Sequence, residues 1–147
     1  LGGSVYYSLY NELGVNLPKP DLEEVKNQIF GLTSCIEETL ILSCHDIADG
    51  GIASAIAEMT FGNGIGCDIE INGDMSAHKI LFSETGGFIL EVSSENVGAI
   101  STTFSKYELD VFHIGNTGGI MIQLNSVLDM YVFDAKEAWT NGLREKL

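Results

Sequence analysis

The apolar positions of this chain change period several times, and each change marks an element. Val5, Tyr6, Leu9, Tyr10 and Leu13 recur as one face of a short helix that Gly14 ends. Beyond the extended Pro18-Lys19-Pro20 connector, Asp21 and Glu24 have capping-box spacing. Leu22, Val25, Ile29, Leu32 and Ile36 then predict a helix to about Glu38 that buries this stripe. Thr39-Leu40-Ile41-Leu42 reads as a short buried strand, and Ile52 to Met59 as a helix with Ile52, Ile56 and Met59 on one face. Cys67 to Ile71 alternates apolar and acidic residues, the pattern of a strand with one face in water, and Asn72 to His78 reads as polar loop. Phe88 to Val92 is a further strand, after which Ser93 or Ser94 caps a helix to about Lys106 with Val97, Ile100 and Phe104 inward. Val111 to Gly115 and Ile120 to Leu124, joined by Asn116-Thr117-Gly118-Gly119, predict a hairpin. A last helix starts at Asp134, with Asp134 and Glu137 as a second capping box and Ala138, Trp139 and Leu143 along it.

Interleaved helices and strands, with hairpins and one-faced strands among them, define an α/β (α+β) class: a mixed β-sheet covered by helices. The 147 residues suit one domain with a sizeable core, spanning 1–147. Hydrophobic residues at 45% against 19% charged exclude a disordered chain, and no apolar run approaches the ~20 residues of a membrane span. A soluble protein is expected. The chain opens on Leu1-Gly2-Gly3-Ser4 with neither an initiator Met nor a signal-peptide pattern, so a fragment of a longer polypeptide is expected.

Charge narrows the function classes. With 21 acidic and 7 basic residues the net charge is −14, and Arg144 is the one arginine. Nucleic-acid binding, which needs cations against phosphates, is excluded, and a side-chain clamp on a phosphorylated substrate is hard to build. Any phosphate must meet backbone N–H groups, a metal or another domain. Cys35, Cys44 and Cys67 form no CxxC pair, which points to reduced thiols in a cytoplasmic protein.

The chemistry concentrates in Ser43 to Ile52, expected as a strand-to-helix turn, where helix N–H groups and the helix dipole gather ligands in open α/β sheets. Asp46 with Asp49 can hold Mg²⁺ beside nucleotide phosphates. Alternatively Asp49 is the N-cap of the following helix and Asp46 satisfies backbone N–H groups. His45 reads as a hydrogen-bonded structural residue. Gly50-Gly51 can let a phosphate approach the helix start, or can simply provide a backbone conformation closed to other residues. Ser83-Glu84 with Gly86-Gly87 is a second possible ligand loop or a solvated turn. No Ser-His-Asp or Cys-His arrangement is apparent, and no catalytic residue is assigned.

His45-Asp46-Ile47-Ala48-Asp49-Gly50-Gly51-Ile52-Ala53, continuing through Ala57-Glu58-Met59 to Gly64-Ile65-Gly66, resembles the signature of the AIR synthase superfamily C-terminal domain. Leu1-Gly2-Gly3-Ser4, Leu81-Phe82-Ser83-Glu84, Ile114-Gly115 with Gly118-Gly119, and Glu137-Ala138-Trp139 agree with it, most closely with the phosphoribosylformylglycinamidine synthase family. The resemblance implies that family's C-terminal-type fold with partial ferredoxin-like topology. It implies a domain of the second half of an ATP-dependent ligase of purine biosynthesis, in the small stand-alone form. Such an enzyme converts formylglycinamide ribonucleotide, ATP and glutamine-derived ammonia into formylglycinamidine ribonucleotide. Implied partners are the remaining domains of the enzyme, a glutaminase subunit and a small accessory subunit. Implied cofactors are Mg²⁺ and ATP/ADP. By correspondence Asp46 is the metal ligand, and Ala48, Asp49, Gly50 and Gly51 form the nucleotide-binding stretch, with Ala48 standing where a serine is usual. The isolated fragment is expected to be inactive, and an apolar face left uncovered would let it homodimerise. The alternatives are a scaffold domain, or the equivalent domain of AIR synthase or selenophosphate synthetase.

Overall fold

The computed structural model describes residues 1–142, so Leu143 and Arg144 lie outside the described residues. The helices are α1 (Val5–Ser8), α2 (Leu22–Glu37), α3 (Gly51–Thr60), α4 (Ala77–Phe82), α5 (Val97–Ser105) and α6 (Val132–Asn141). The strands are β1 (Ser43–Asp46), β2 (Cys67–Ile69), β3 (Phe88–Glu91), β4 (Gly115–Thr117), β5 (Met121–Leu124) and β6 (Leu128–Tyr131). The expected sheet is divided in two. β1 and β3 form an antiparallel pair, and β4-β2-β5-β6 form a mixed sheet in which β2 and β5 run parallel.

The main core forms where the four-stranded sheet meets α3, α4 and α6. Alternation puts Cys67 and Ile69 of β2 inward beside Ile122 and Leu124 of β5, in parallel register Cys67↔Ile122 and Ile69↔Leu124. Against them lie Ala53, Ile56, Leu81, Val132 and Ala135. α3 has no exposed residue along its length and touches α4, α6, β1, β3 and β5. Its small residues Ala53, Ala55 and Ala57 admit that many neighbours. A second cluster, Cys35, Ile100 and Phe104, joins α2 to α5, and Leu90 and Val92 of the β3 region pack on it.

Several expectations change in the structure. The hairpin 111–115/120–124 does not form, because β2 is inserted between β4 and β5. The 118–120 link passes over the start of β2, where the N–H of Gly66 donates to Gly119 O (3.0 Å) and the N–H of Gly118 donates to Gly66 O (2.8 Å). A Cβ on Gly66 would stand 2.0 Å from the Met121 carbonyl oxygen, so only glycine fits this crossing. The hairpin that does form is β5-β6, whose turn residues Asn125 (φ 49°) and Ser126 (φ 52°) both have positive φ, as a primed turn demands. Residues 111–114 are not strand, and β4 starts only at Gly115.

α2 is capped as predicted: the Asp21 carboxylate accepts from the N–H groups of Glu23 and Glu24. Its buried face is different. Leu22, Val25, Ile29 and Ile36 are exposed, while Gly31 and Cys35 are buried. The Phe104 ring fills the space above Gly31, 2.8 Å from where a Cβ would stand, so the helix seats through its smallest residues and turns the long apolar stripe outward. α1 is a single turn capped by Ser4 and stops at Ser8, well short of Leu13. The 77–82 segment, expected to be partly loop, is helix α4. α5 starts at Val97 rather than after the serines, and α6 follows β6 directly, with Tyr131 at its N-cap in place of Asp134. No helix of the described residues is long and apolar enough to cross a membrane.

Candidate functional site

The strand preceding the polar cluster covers Ser43–Asp46, four residues later than Thr39–Leu42. Thr39 instead has φ 56° just past α2. His45 and Asp46 therefore lie on β1 itself, paired with Ile89 and Phe88 of β3, and the turn proper is Ile47 to Gly50. Burial alternates along β1: His45 points inward, whereas Cys44 and Asp46 are exposed.

His45 joins the strand to α3. Nδ1 lies 2.7 Å from the Asp46 carbonyl oxygen and Nε2 lies 3.2 Å from Glu58 Oε2. A carbonyl and an ionised carboxylate only accept, so the arrangement favours the imidazolium, donating from both nitrogens. The Asp46 carbonyl raises the His45 pKa above its ordinary value. Partial burial opposes this, and the Glu58 carboxylate adds to the rise. The structural role read from the sequence holds here. In the sequence Glu58 stands only as part of the family-like stretch Ala57-Glu58-Met59, with no role assigned to it, although it is an acid within an otherwise small and apolar helix.

The Asp46 side chain is 66% exposed, with its Oδ1 3.6 Å from His45 Nδ1. Among the described residues no three His, Cys, Asp or Glu side chains come together as a metal cage. Asp46 can thus give one oxygen to a hard cation whose other ligands are waters, phosphate oxygens or groups from elsewhere. Ala48 and Asp49 are exposed beside it. Asp49 is not the helix cap. That position belongs to Gly50, in the left-handed region at φ 79°, which has no side chain with which to cap.

The start of α3 is tightly built. Gly51 has φ 68°, and a Cβ there would stand 2.7 Å from Leu81 O and 2.8 Å from Phe82 C. The helix start therefore abuts the last turn of α4, and only glycine fits. The Gly51 N–H donates to Ala48 O at 3.0 Å, and the Gly50 N–H donates to Glu84 Oε1 at 2.9 Å. Both N–H groups expected to face a phosphate are thus bonded within the chain. Glu84 brings a carboxylate to the positive end of the helix. At the opposite end the Lys136 ammonium donates to the Phe61 carbonyl at 2.7 Å, beside the Phe61 and Trp139 rings, whose centroids are 5.6 Å apart. The buried helix is matched in charge at both termini by residues distant in sequence.

Cys35 and Cys67 are buried, and desolvation pushes both thiols up; Cys44 is exposed on β1. None of the three stands at the turn.

The structure is an α/β domain in which an acidic turn feeds a buried central helix, and comparison with known proteins assigns its family. The family described as "AIR synthase related protein, C-terminal domain" matches residues 1–119, and the chain belongs to that family. A phosphoribosylformylglycinamidine synthase subunit PurL from Methanothrix thermoacetophila is 32% identical over 154 aligned residues, covering 100% of this chain and 20% of that protein. Among solved structures, PurLQS from Thermotoga maritima superposes with a TM-score of 0.69 at 19% identity, covering 89% of this chain and 24% of that one. T. maritima PurL complexed with ATP gives 0.70 at 19% identity, covering 92% and 24%. At that identity the structural likeness is one of fold. The chain spans about a fifth of the length of the Methanothrix thermoacetophila PurL subunit.

Proposed function

We propose that this chain is a single C-terminal AIR-synthase-type domain of a phosphoribosylformylglycinamidine synthase. It would act within a larger cytoplasmic assembly that converts formylglycinamide ribonucleotide, ATP and glutamine-derived ammonia into formylglycinamidine ribonucleotide. The observation that carries this reading is similarity along the whole chain to a synthase subunit, with Asp46 exposed at the turn the resemblance singles out. The remaining domains, a glutaminase subunit and a small accessory subunit are the partners of this reading. A Mg²⁺ bound here would neutralise charge on ATP or ADP phosphates. Asp46 would hold it through one carboxylate oxygen, and Ala48, Asp49, Gly50 and Gly51 would form the wall beside the nucleotide. With Gly50 and Gly51 N–H groups already bonded, contact with phosphate would run through a Mg²⁺ held by Asp46 rather than through those two amides. Among the described residues no three His, Cys, Asp or Glu side chains form a metal cage, and in this reading the domain turns over only with its partner domains, which an ammonia-dependent synthase assay on the isolated chain checks.

The internal bonding of the α3 start also favours a second reading, in which the turn is structural and the domain is a scaffold for its neighbours. Asp46→Ala in the full-length protein separates the two by equilibrium binding of ATP with Mg²⁺. The site reading expects affinity to fall by about tenfold or more, the scale on which metal environments respond to a lost partner. Unchanged affinity with weakened assembly would establish the scaffold instead.

A further inference from the structure

We infer that Glu84 is a positioning residue that clamps the N-terminal segment onto the Ile47–Gly50 turn through one carboxylate oxygen. Glu84 Oε1 accepts from the Val5 N–H at 2.8 Å and from the Gly50 N–H at 2.9 Å. These amides belong to segments 45 residues apart in sequence, and each is the kind of helix-start donor that has no partner within its own helix. Packing brings the same three segments together. Tyr6 stacks on Phe82 with centroids 4.6 Å apart and planes 14° apart, and Leu81 and Phe82 backbone atoms occupy the space above Gly51. Ser4 is 2% exposed, so the N-terminal turn is seated firmly and is not a loose tail. Glu84, half-buried just past α4, is the polar group this junction shares. Its loss leaves two helix-start amides unpaired together, so the turn and the N-terminal segment loosen as a unit. That the turn so held is the nucleotide turn rests on the functional reading above; the clamp itself does not.

Hydrogen exchange read by mass spectrometry on the full-length protein, with Glu84→Ala and Glu84→Gln, tests it. Glu84→Ala should raise exchange by about tenfold both in peptides covering 1–10 and in those covering 44–54, the scale of a lost charge-assisted bond. Glu84→Gln keeps an amide oxygen that accepts from both N–H groups and should restore most of the protection. A rise confined to 83–87, or to one of the two segments, overturns the clamp. So does equal loss in both variants. In the same proteins ATP affinity in the presence of Mg²⁺ should weaken in Glu84→Ala and recover in Glu84→Gln. Paired loosening with unchanged affinity in both Glu84→Ala and Asp46→Ala upholds the clamp and rejects the nucleotide reading.

Discussion

α2 and α3 are both amphipathic by sequence, yet they are used in opposite ways. α3 is ten residues long, is surrounded on every side and is tied at each end by a charged partner, Glu84 at the start and Lys136 at the finish. α2 is sixteen residues long and rests on α5 through Gly31 and Cys35, while Ile29 and Ile36 stand about half exposed. A long helix with a regular apolar stripe does not therefore bury that stripe within its own domain. Which face turns inward depends on where a neighbour can approach closely, and the Phe104 ring over Gly31 decides it here. α3 organises the domain, and α2 leaves its long apolar stripe uncovered.

Truncating cores of the two helices should separate them most. Leu81→Ala, at a fully buried side chain packed against α3, is expected to cost about 2–5 kcal/mol, whereas Ile29→Ala on α2 should stay within about 0.5 kcal/mol. Urea unfolding of both variants checks this, and comparable losses would erase the distinction. Gly51→Ala comes next: a positive φ and backbone atoms closer than 3 Å should together cost about 1–3 kcal/mol, visible as a lowered Tm. Lys136→Met keeps the aliphatic stem and leaves the Phe61 carbonyl without its cation, for about 1 kcal/mol.

The smallest effect concerns His45 and is read from pH. Because its folded pKa is raised, the stability it contributes is fully present below the unfolded value of about 6.5 and is lost as pH rises through the folded value. The stability difference between the unmodified chain and His45→Gln should therefore shrink between pH 6 and pH 8, where denaturant midpoints can be compared. A difference that stays constant or grows would mean that the His45–Glu58 contact holds without the charge.

Much of this was legible in the chain. The mixed α/β class, the capped start of α2 and the alternation of β2 follow from local periodicity and turn chemistry. What the sequence hid was non-local. Asp49 has the composition of a helix cap, but Gly50 holds that place because the chain must turn through the left-handed region to let Gly51 meet α4. Glu84 was visible as an acid in a glycine-flanked loop, while its two partners, Val5 and Gly50, were not. Residues 111–124 look like a hairpin until β2 takes the place between their strands.

That inserted strand ties the last third of the chain to the core. The match to the family model ends at residue 119, inside the link that crosses β2, whereas likeness to the PurL relative runs along the whole chain, and the fully buried Ile122 and Leu124 come from the strand beyond residue 119. A polypeptide cut after residue 119 would keep the whole acidic turn and lose β2's parallel neighbour, the β5-β6 hairpin and the lysine that finishes α3. Its signature would be intact and its interior open to water. The strands beyond residue 119 therefore close the interior on which the turn and its helix rest.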